Sequence, residues 1–271
     1  MRIWYQSLIE PGLVPTYFDG MAARARRIAR AGVEVEFHGM PEGTYGGRVP
    51  ADVVIYPYIM SLHHQFILDN ALRAQAEGYD AFAIGSIQDP ALEEARSLVD
   101  IPVVGYGESA MHLACLMGSR FCIIAFQPLL GQLLERRIRL LDLERRALPT
   151  LFMDIEFADV TRGLQDPAHL ADRFVTAARR AIAAGAEAII PGQLYLSEAV
   201  AAAGLSRVDD APVVDALAAT LKMAEVMVDL RGLGISVARR GFFHARPDLA
   251  MVEHARRVHG RRPIPRSGGA G

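Results

Sequence analysis

The sequence predicts an α/β protein of two pseudo-symmetric three-layer αβα domains, each with a parallel sheet, and a ligand cleft between them. Three observations carry this. Short apolar runs alternate with Ala- and Leu-rich helical stretches along most of the chain, one strand–helix–strand segment occurs twice, and each copy ends its first strand in a glycine turn. Strands that alternate with helices form parallel sheets covered on both faces.

Strands are expected at residues 2–8, 33–38, 81–85, 102–104, 121–126, 151–155, 188–191 and 212–214. The helix expected over 128–143 shows the pattern most clearly. Leu130, Leu133, Leu134, Ile138 and Leu141 make an apolar stripe, and Glu135, Arg136 and Arg139 lie off it. A helix over 61–77 would begin with His63 and His64. From about Arg239 the chain turns Arg- and Pro-rich, which predicts a short helix over 247–259 followed by disorder. The expected division is residues 1–104 plus 213–235 in the first domain, 105–212 in the second, and 236–271 as a C-terminal extension.

Bulk properties narrow the function. With 29 basic and 31 acidic residues the formal charge is −2, so no global field draws the chain to nucleic acid. No apolar run reaches the roughly 18–20 residues a membrane span needs. Met1 to Tyr5 are expected to form a strand and not a leader. Two cysteines, Cys115 and Cys122, are too few for a disulfide framework. The expected setting is cytoplasmic, with no nucleic-acid or membrane partner.

The repeat locates the site. Residues 78–104 read GYDAFAIGSIQDPALEEARSLVDIPVV, and 185–214 read GAEAIIPGQLYLSEAVAAAGLSRVDDAPVV. Gly78 matches Gly185, Asp80 matches Glu187, Ala81 matches Ala188 and Gly85 matches Gly192. Three extra residues then enter the second copy before Pro102-Val103-Val104 meets Pro212-Val213-Val214. Ligands of open parallel sheets sit beyond the carboxyl ends of the strands. If the halves face each other across a pseudo-two-fold axis, the turns at Gly85 and Gly192 converge. They bring Ser86 and Gln193 to one cleft, with Ile87 and Leu194 beside them.

The segments AIGSIQDPALEEAR (83–96), IPVVGYGESAMHLA (101–114), EAIIPGQLYLSEA (187–199) and APVVDALAATLKMAE (211–225) resemble, in order over residues 1–232, the aspartate/glutamate/hydantoin racemase superfamily, especially its hydantoin-racemase branch. The resemblance implies a small carboxylate or cyclic amide as ligand, no cofactor, and a homo-oligomer. In that family each glycine turn presents a cysteine, and the two thiols exchange a proton on opposite faces of one carbon. Laid onto this chain, those positions fall on Ser86 and Gln193. A Ser hydroxyl is a weak base without a partner, and a Gln amide does not ionise. Cys115, on a helix, and Cys122, in an apolar strand, read as structural.

Other candidates follow from place and type. Gln6 and Ser7, ending the first strand, are expected on the rim of the cleft, where the family holds polar substrate contacts. His63 or His64 is the expected base for Ser86. Tyr45, in the loop 43–47, and Tyr56 suggest a lid, and Tyr195 follows the second turn. Glu108 is expected to cap the helix after it. Asp154, Glu156 and Asp159 lack a His or Cys at metal-ligand spacing, so no metal is implied. Two classes of function stay open: an enzyme with divergent chemistry, including a Ser/His-assisted hydrolase of a small amide or ring, and a non-catalytic small-anion binder. A base within reach of Ser86 would favour the first.

Overall fold

The computed structural model describes residues 1–265. The chain opens with β1 (Arg2–Ser7), α1 (Pro15–Ile28), β2 (Glu34–His38), α2 (Pro50–Val53) and α3 (Pro57–Ala76). Next come β3 (Ala81–Gly85), α4 (Leu92–Leu98), β4 (Val103–Gly105) and α5 (Tyr106–Met117). The second half holds β5 (Phe121–Ala125), α6 (Pro128–Leu140), β6 (Leu151–Phe152), α7 (Phe157–Gln165), α8 (Pro167–Ala183), β7 (Ala188–Pro191) and α9 (Leu194–Ala202). The chain continues through β8 (Arg207–Val208), β9 (Ala211–Pro212), α10 (Ala216–Gly232) and α11 (Leu249–Val258).

Two parallel sheets result, in the orders β2-β1-β3-β4 and β6-β5-β7. Every residue of β3 and β5 is buried, which accounts for the unbroken apolar runs Ala-Phe-Ala-Ile-Gly and Phe-Cys-Ile-Ile-Ala. Side chains alternate across β1. Ile3 and Tyr5 enter a core shared with the second sheet, while Trp4 and Leu8 enter a separate core under α3 and α4. The two halves therefore share apolar packing and are not independent hydrophobic bodies.

The halves are also joined by charge. Arg24 on α1 pairs through Nη1 with Glu198 Oε1 on α9 at 2.5 Å, and it also pairs with Asp215, which caps α10. Helix α10 packs on α1, β3 and β4 and on α5, while Val213 just before it bridges to Ile189 in the second sheet.

Three local expectations shift. The strand expected at 212–214 is instead β9, a two-residue partner of β8 in an antiparallel pair. Helix α3 starts at Pro57, because proline sets the backbone for a first helical turn, so His63 and His64 lie in its second turn. The expected helix of the tail is α11, but the chain after it is ordered as far as it is described. Arg256 and Arg261 pair with Asp69, and Ile264 packs on the core under α3. The disorder expected of the chain end falls on 266–271, outside the described residues.

Candidate functional site

The glycine turns converge as the repeat predicts. Ser86 and Gln193 line one narrow cavity of about 60 Å³ between the sheets, with Ile87, Gln88, Leu194 and Tyr195. Each glycine is required by the strand beside it. A Cβ on Gly85 would stand 2.3 Å from Cε1 of Tyr5, and one on Gly192 would stand 2.5 Å from Cγ2 of Ile123. No methyl fits at those distances, so the Tyr5 ring packs directly beneath the first turn and the Ile123 side chain beneath the second.

Ser86 and Gln193 are not equivalent chemically. Ser86 is 5% exposed, and its Oγ accepts only a long bond of 3.4 Å from the Gln88 N–H. Gln193 is held at both ends: Oε1 accepts the Phe126 N–H at 2.9 Å, and Nε2 donates to Gln127 Oε1 at 3.3 Å. Gln193 is the N-cap residue of α9 but makes no side-chain cap, so the first-turn N–H groups of α9 lack intrahelical acceptors. The remaining wall is Leu8, Ile9, Pro50, Ala51, Val54, Phe126, Leu130 and Phe157. No charged side chain lies among these lining residues. Tyr195 is the one titratable group, and burial raises its phenol further above the usual range.

Several expected residues stand elsewhere. Gln6 is fully buried, and its amide is consumed internally. Its Oε1 accepts from Trp4 Nε1 (3.2 Å) and Asn70 Nδ2 (2.8 Å), while Nε2 donates to the carbonyls of Ser7 and Gly39. Ser7 is buried as well and accepts the Ile9 N–H at 3.1 Å. Both sit inside β1 because a polar group in a covered sheet must find its partners within the protein. Tyr45 is buried and does not line the cavity. Its hydroxyl donates to the Leu8 carbonyl, and Glu10 accepts the N–H groups of Gly43 and Tyr45 at 2.9 and 2.7 Å. Tyr56 is 56% exposed and does not line the cavity.

Neither histidine reaches Ser86's cavity. His63 is buried edge-on against Tyr45, and His64 lines a neighbouring chamber. Burial lowers the pKa of both imidazoles. The cysteines are remote: burial raises the Cys122 thiol to about 11 and raises that of Cys115 as well. Glu156 and Asp159 serve as reciprocal caps of α7.

Sequence reasoning missed α2 and Asp89. Helix α2 supplies Pro50, Ala51 and Val54's neighbourhood to the cleft wall, and its signal was Pro50 followed by Asp52 in a first turn. Asp89 performs the capping expected of Glu108. Its carboxylate accepts the N–H groups of Gly107 and Glu108 at 2.8 and 2.7 Å, whereas Glu108 pairs with Arg96.

With this geometry in hand, comparison with known proteins is specific. The family model described as Asp/Glu/Hydantoin racemase matches residues 9–224. The chain is 28% identical over 224 residues to a hydantoin racemase of Pseudomonas sp. (strain NS671), covering 82% of this chain and 85% of that protein. Its fold matches the allantoin racemase of Klebsiella pneumoniae with a TM-score of 0.73 at 24% identity, over 92% and 94% of the two chains. The allantoin racemase of Pseudomonas fluorescens follows at 0.69 and 22%, over 91% and 97%. The chain belongs to the Asp/Glu/hydantoin racemase family.

Proposed function

We propose that this protein binds a small neutral cyclic amide of the hydantoin class between Ser86 and Gln193, without the two-thiol proton transfer of its relatives. The observation that carries the reading is the wall of the cleft. It offers hydroxyl, amide and backbone N–H groups to a ring carbonyl, but no charged side chain and no group of intermediate pKa. Proton abstraction at carbon needs a base poised near the working pH. A carboxylate ligand would be buried there without a cationic side chain, at a large desolvation cost. The 28% identity to a hydantoin racemase over most of the chain supports the choice of ring.

The hydrolase reading loses its support with the histidines. His63 is spent against Tyr45, and His64 faces another chamber, so neither histidine stands in the cavity where it could take the Ser86 proton.

The test is to titrate the protein with 5-substituted hydantoins by calorimetry and to follow the ring α-proton by NMR in deuterated water. Saturable binding with α-proton exchange no faster than in buffer is expected. Enzyme-dependent exchange, or release of a ring-opened product, would overturn the proposal.

A further inference from the structure

The chain after α10 carries its apolar side chains on the outside. Seven of the fifteen large apolar side chains exposed among the described residues lie between Leu233 and Val258, so this short extension holds nearly half of them. Helix α11 buries none of its residues. Its half-buried side is held by polar contacts on either side of Val252. Arg256 pairs with Asp69 of α3, and Glu253 accepts the Ile264 N–H at 3.1 Å. The helical period then sends Met251, Ala255 and Val258 to the opposite side. All three are exposed, Met251 by 65% and Val258 by 68%. Apolar residues at this i, i+4, i+7 spacing form the stripe by which one helix packs on another.

The charges at the two ends of α11 indicate what covers the stripe. Asp248 caps the start. Its Oδ1 accepts the N–H groups of Ala250 and Met251 at 2.8 and 3.2 Å, and its Oδ2 makes no hydrogen bond among the described residues. Beyond the other end stand Arg257 and Arg262, both exposed and in no ion pair among the described residues. A helix that is acidic where it begins and basic where it ends complements a copy of itself laid antiparallel, as a two-fold axis requires. In that arrangement Met251 of one helix meets Val258 of the other. The two Ala255 side chains lie near the axis, where small residues let the helices approach closely. Each Asp248 comes to the basic end of the opposite helix. An anionic lipid surface would also receive the apolar stripe and the arginines, but it would set Asp248 against like charge.

We propose that the outward face of α11 is a self-association surface, joining two copies of this chain antiparallel through Met251, Ala255 and Val258. The helix lies outside residues 9–224, the part matched by the family model, so the contact belongs to this chain's own extension. It shares no residue with the cleft between Ser86 and Gln193.

The first experiment is sedimentation equilibrium of the full chain at micromolar concentration. The wild type is expected as an assembly with an even number of copies. Met251→Glu combined with Val258→Glu buries four carboxylates in the seam and should weaken pairing by about tenfold or more, halving the mass at low concentration. Both side chains are exposed, and an unchanged thermal midpoint of the dissociated form will show that the fold stands. Arg257→Glu should weaken pairing in the same direction with the apolar stripe intact. The second experiment reads the orientation by mild oxidation, with the wild type as the background for Cys115 and Cys122. A mixture of Met251→Cys and Val258→Cys chains should yield the crosslinked heterodimer, and neither chain alone should link to itself. A monomeric wild type overturns the proposal, as does a mass that the double substitution leaves unchanged. Self-linking of each single variant without the heterodimer also overturns it. So does cosedimentation with phosphatidylserine vesicles that the double substitution abolishes, which would assign the face to lipid.

Discussion

The side-chain oxygen of Gln193 accepts the backbone N–H of Phe126 at 2.9 Å, tying the turn after β7 to the end of β5. This residue occupies a position where a proton donor or acceptor would be expected to act on a ligand, yet its acceptor is already engaged. Gln193→Ala would leave the Phe126 N–H buried and unpaired. We expect a loss of about 1–3 kcal/mol in chemical denaturation. Gln127→Ala, which removes the 3.3 Å contact to Nε2 and an exposed 3.3 Å bond to Asp52, should cost far less.

Restoring thiols tests the chemistry from the other side. The double substitution Ser86→Cys with Gln193→Cys should introduce α-proton exchange in a bound hydantoin, while neither single substitution should do so at both faces of the carbon. A thiol near its ordinary pKa of about 8.5 supplies the ionisable pair that the present wall lacks. NMR in deuterated water reads the outcome, and a silent double variant that still binds would count against the geometry.

Gly85 and Tyr5 pack against each other beneath the turn that carries Ser86. Gly85→Ala places a methyl 2.3 Å from the Tyr5 ring and should cost about 1–3 kcal/mol through overpacking. Shortening the ring with Tyr5→Leu should relieve part of that penalty. A double-mutant cycle by urea unfolding therefore returns a coupling energy of opposite sign to the Gly85→Ala cost.

Burial lowers the pKa of His38, His63 and His64 in the folded chain. The unfolded chain takes up these protons near 6.5, so below that value it binds more protons than the folded chain. Stability should thus be retained at higher pH and fall as pH drops through about 6.5 toward the folded pKa values. His63→Phe keeps an aromatic ring against Tyr45 and should show a smaller fall in urea midpoint between about pH 7.5 and 5.5. An equal fall in both proteins would remove His63 from the account.

The C-terminal extension is held mainly by arginines on backbone and carboxylate acceptors. Arg239 donates to the carbonyls of Arg96 and Val99 at 2.6 and 2.7 Å, and both Arg239 and Arg246 pair with Asp100. Exposed pairs contribute roughly 0–1 kcal/mol each, so Asp100→Ala should barely move the global unfolding midpoint. It should nonetheless speed tryptic cleavage beyond residue 235, because the strap opens locally without the core. Equal cleavage rates would show that the backbone contacts of Arg239 suffice.

How far the site was legible differs residue by residue. Ser86 and Gln193 could be paired from the repeat because glycine, an acid and Pro-Val-Val recur at matching places, and the structure brings both onto one wall. Gln6 could not be judged, because its fate depends on Asn70 of α3 and the Gly39 carbonyl after β2 arriving beside its β1 neighbours Trp4 and Ser7 to consume its amide. His63 looked like a base by proximity in sequence. A four-residue shift in the start of α3 and the arrival of Tyr45 placed it in a packed contact instead.

The sequence by itself determined the α/β class, the two halves, the buried strands and the two turns, because these rest on local periodicity and on glycines that tolerate no Cβ. Only the tertiary structure decided what stands around Ser86 and Gln193. Helix α2, Phe126 and Phe157 close the cleft with apolar surface, and Asp89 and Arg137 join the halves beside it. The physical reason is that a side chain's chemistry is set by which distant groups reach it and exclude water. A cleft between two sheets collects those groups from positions that no local pattern connects.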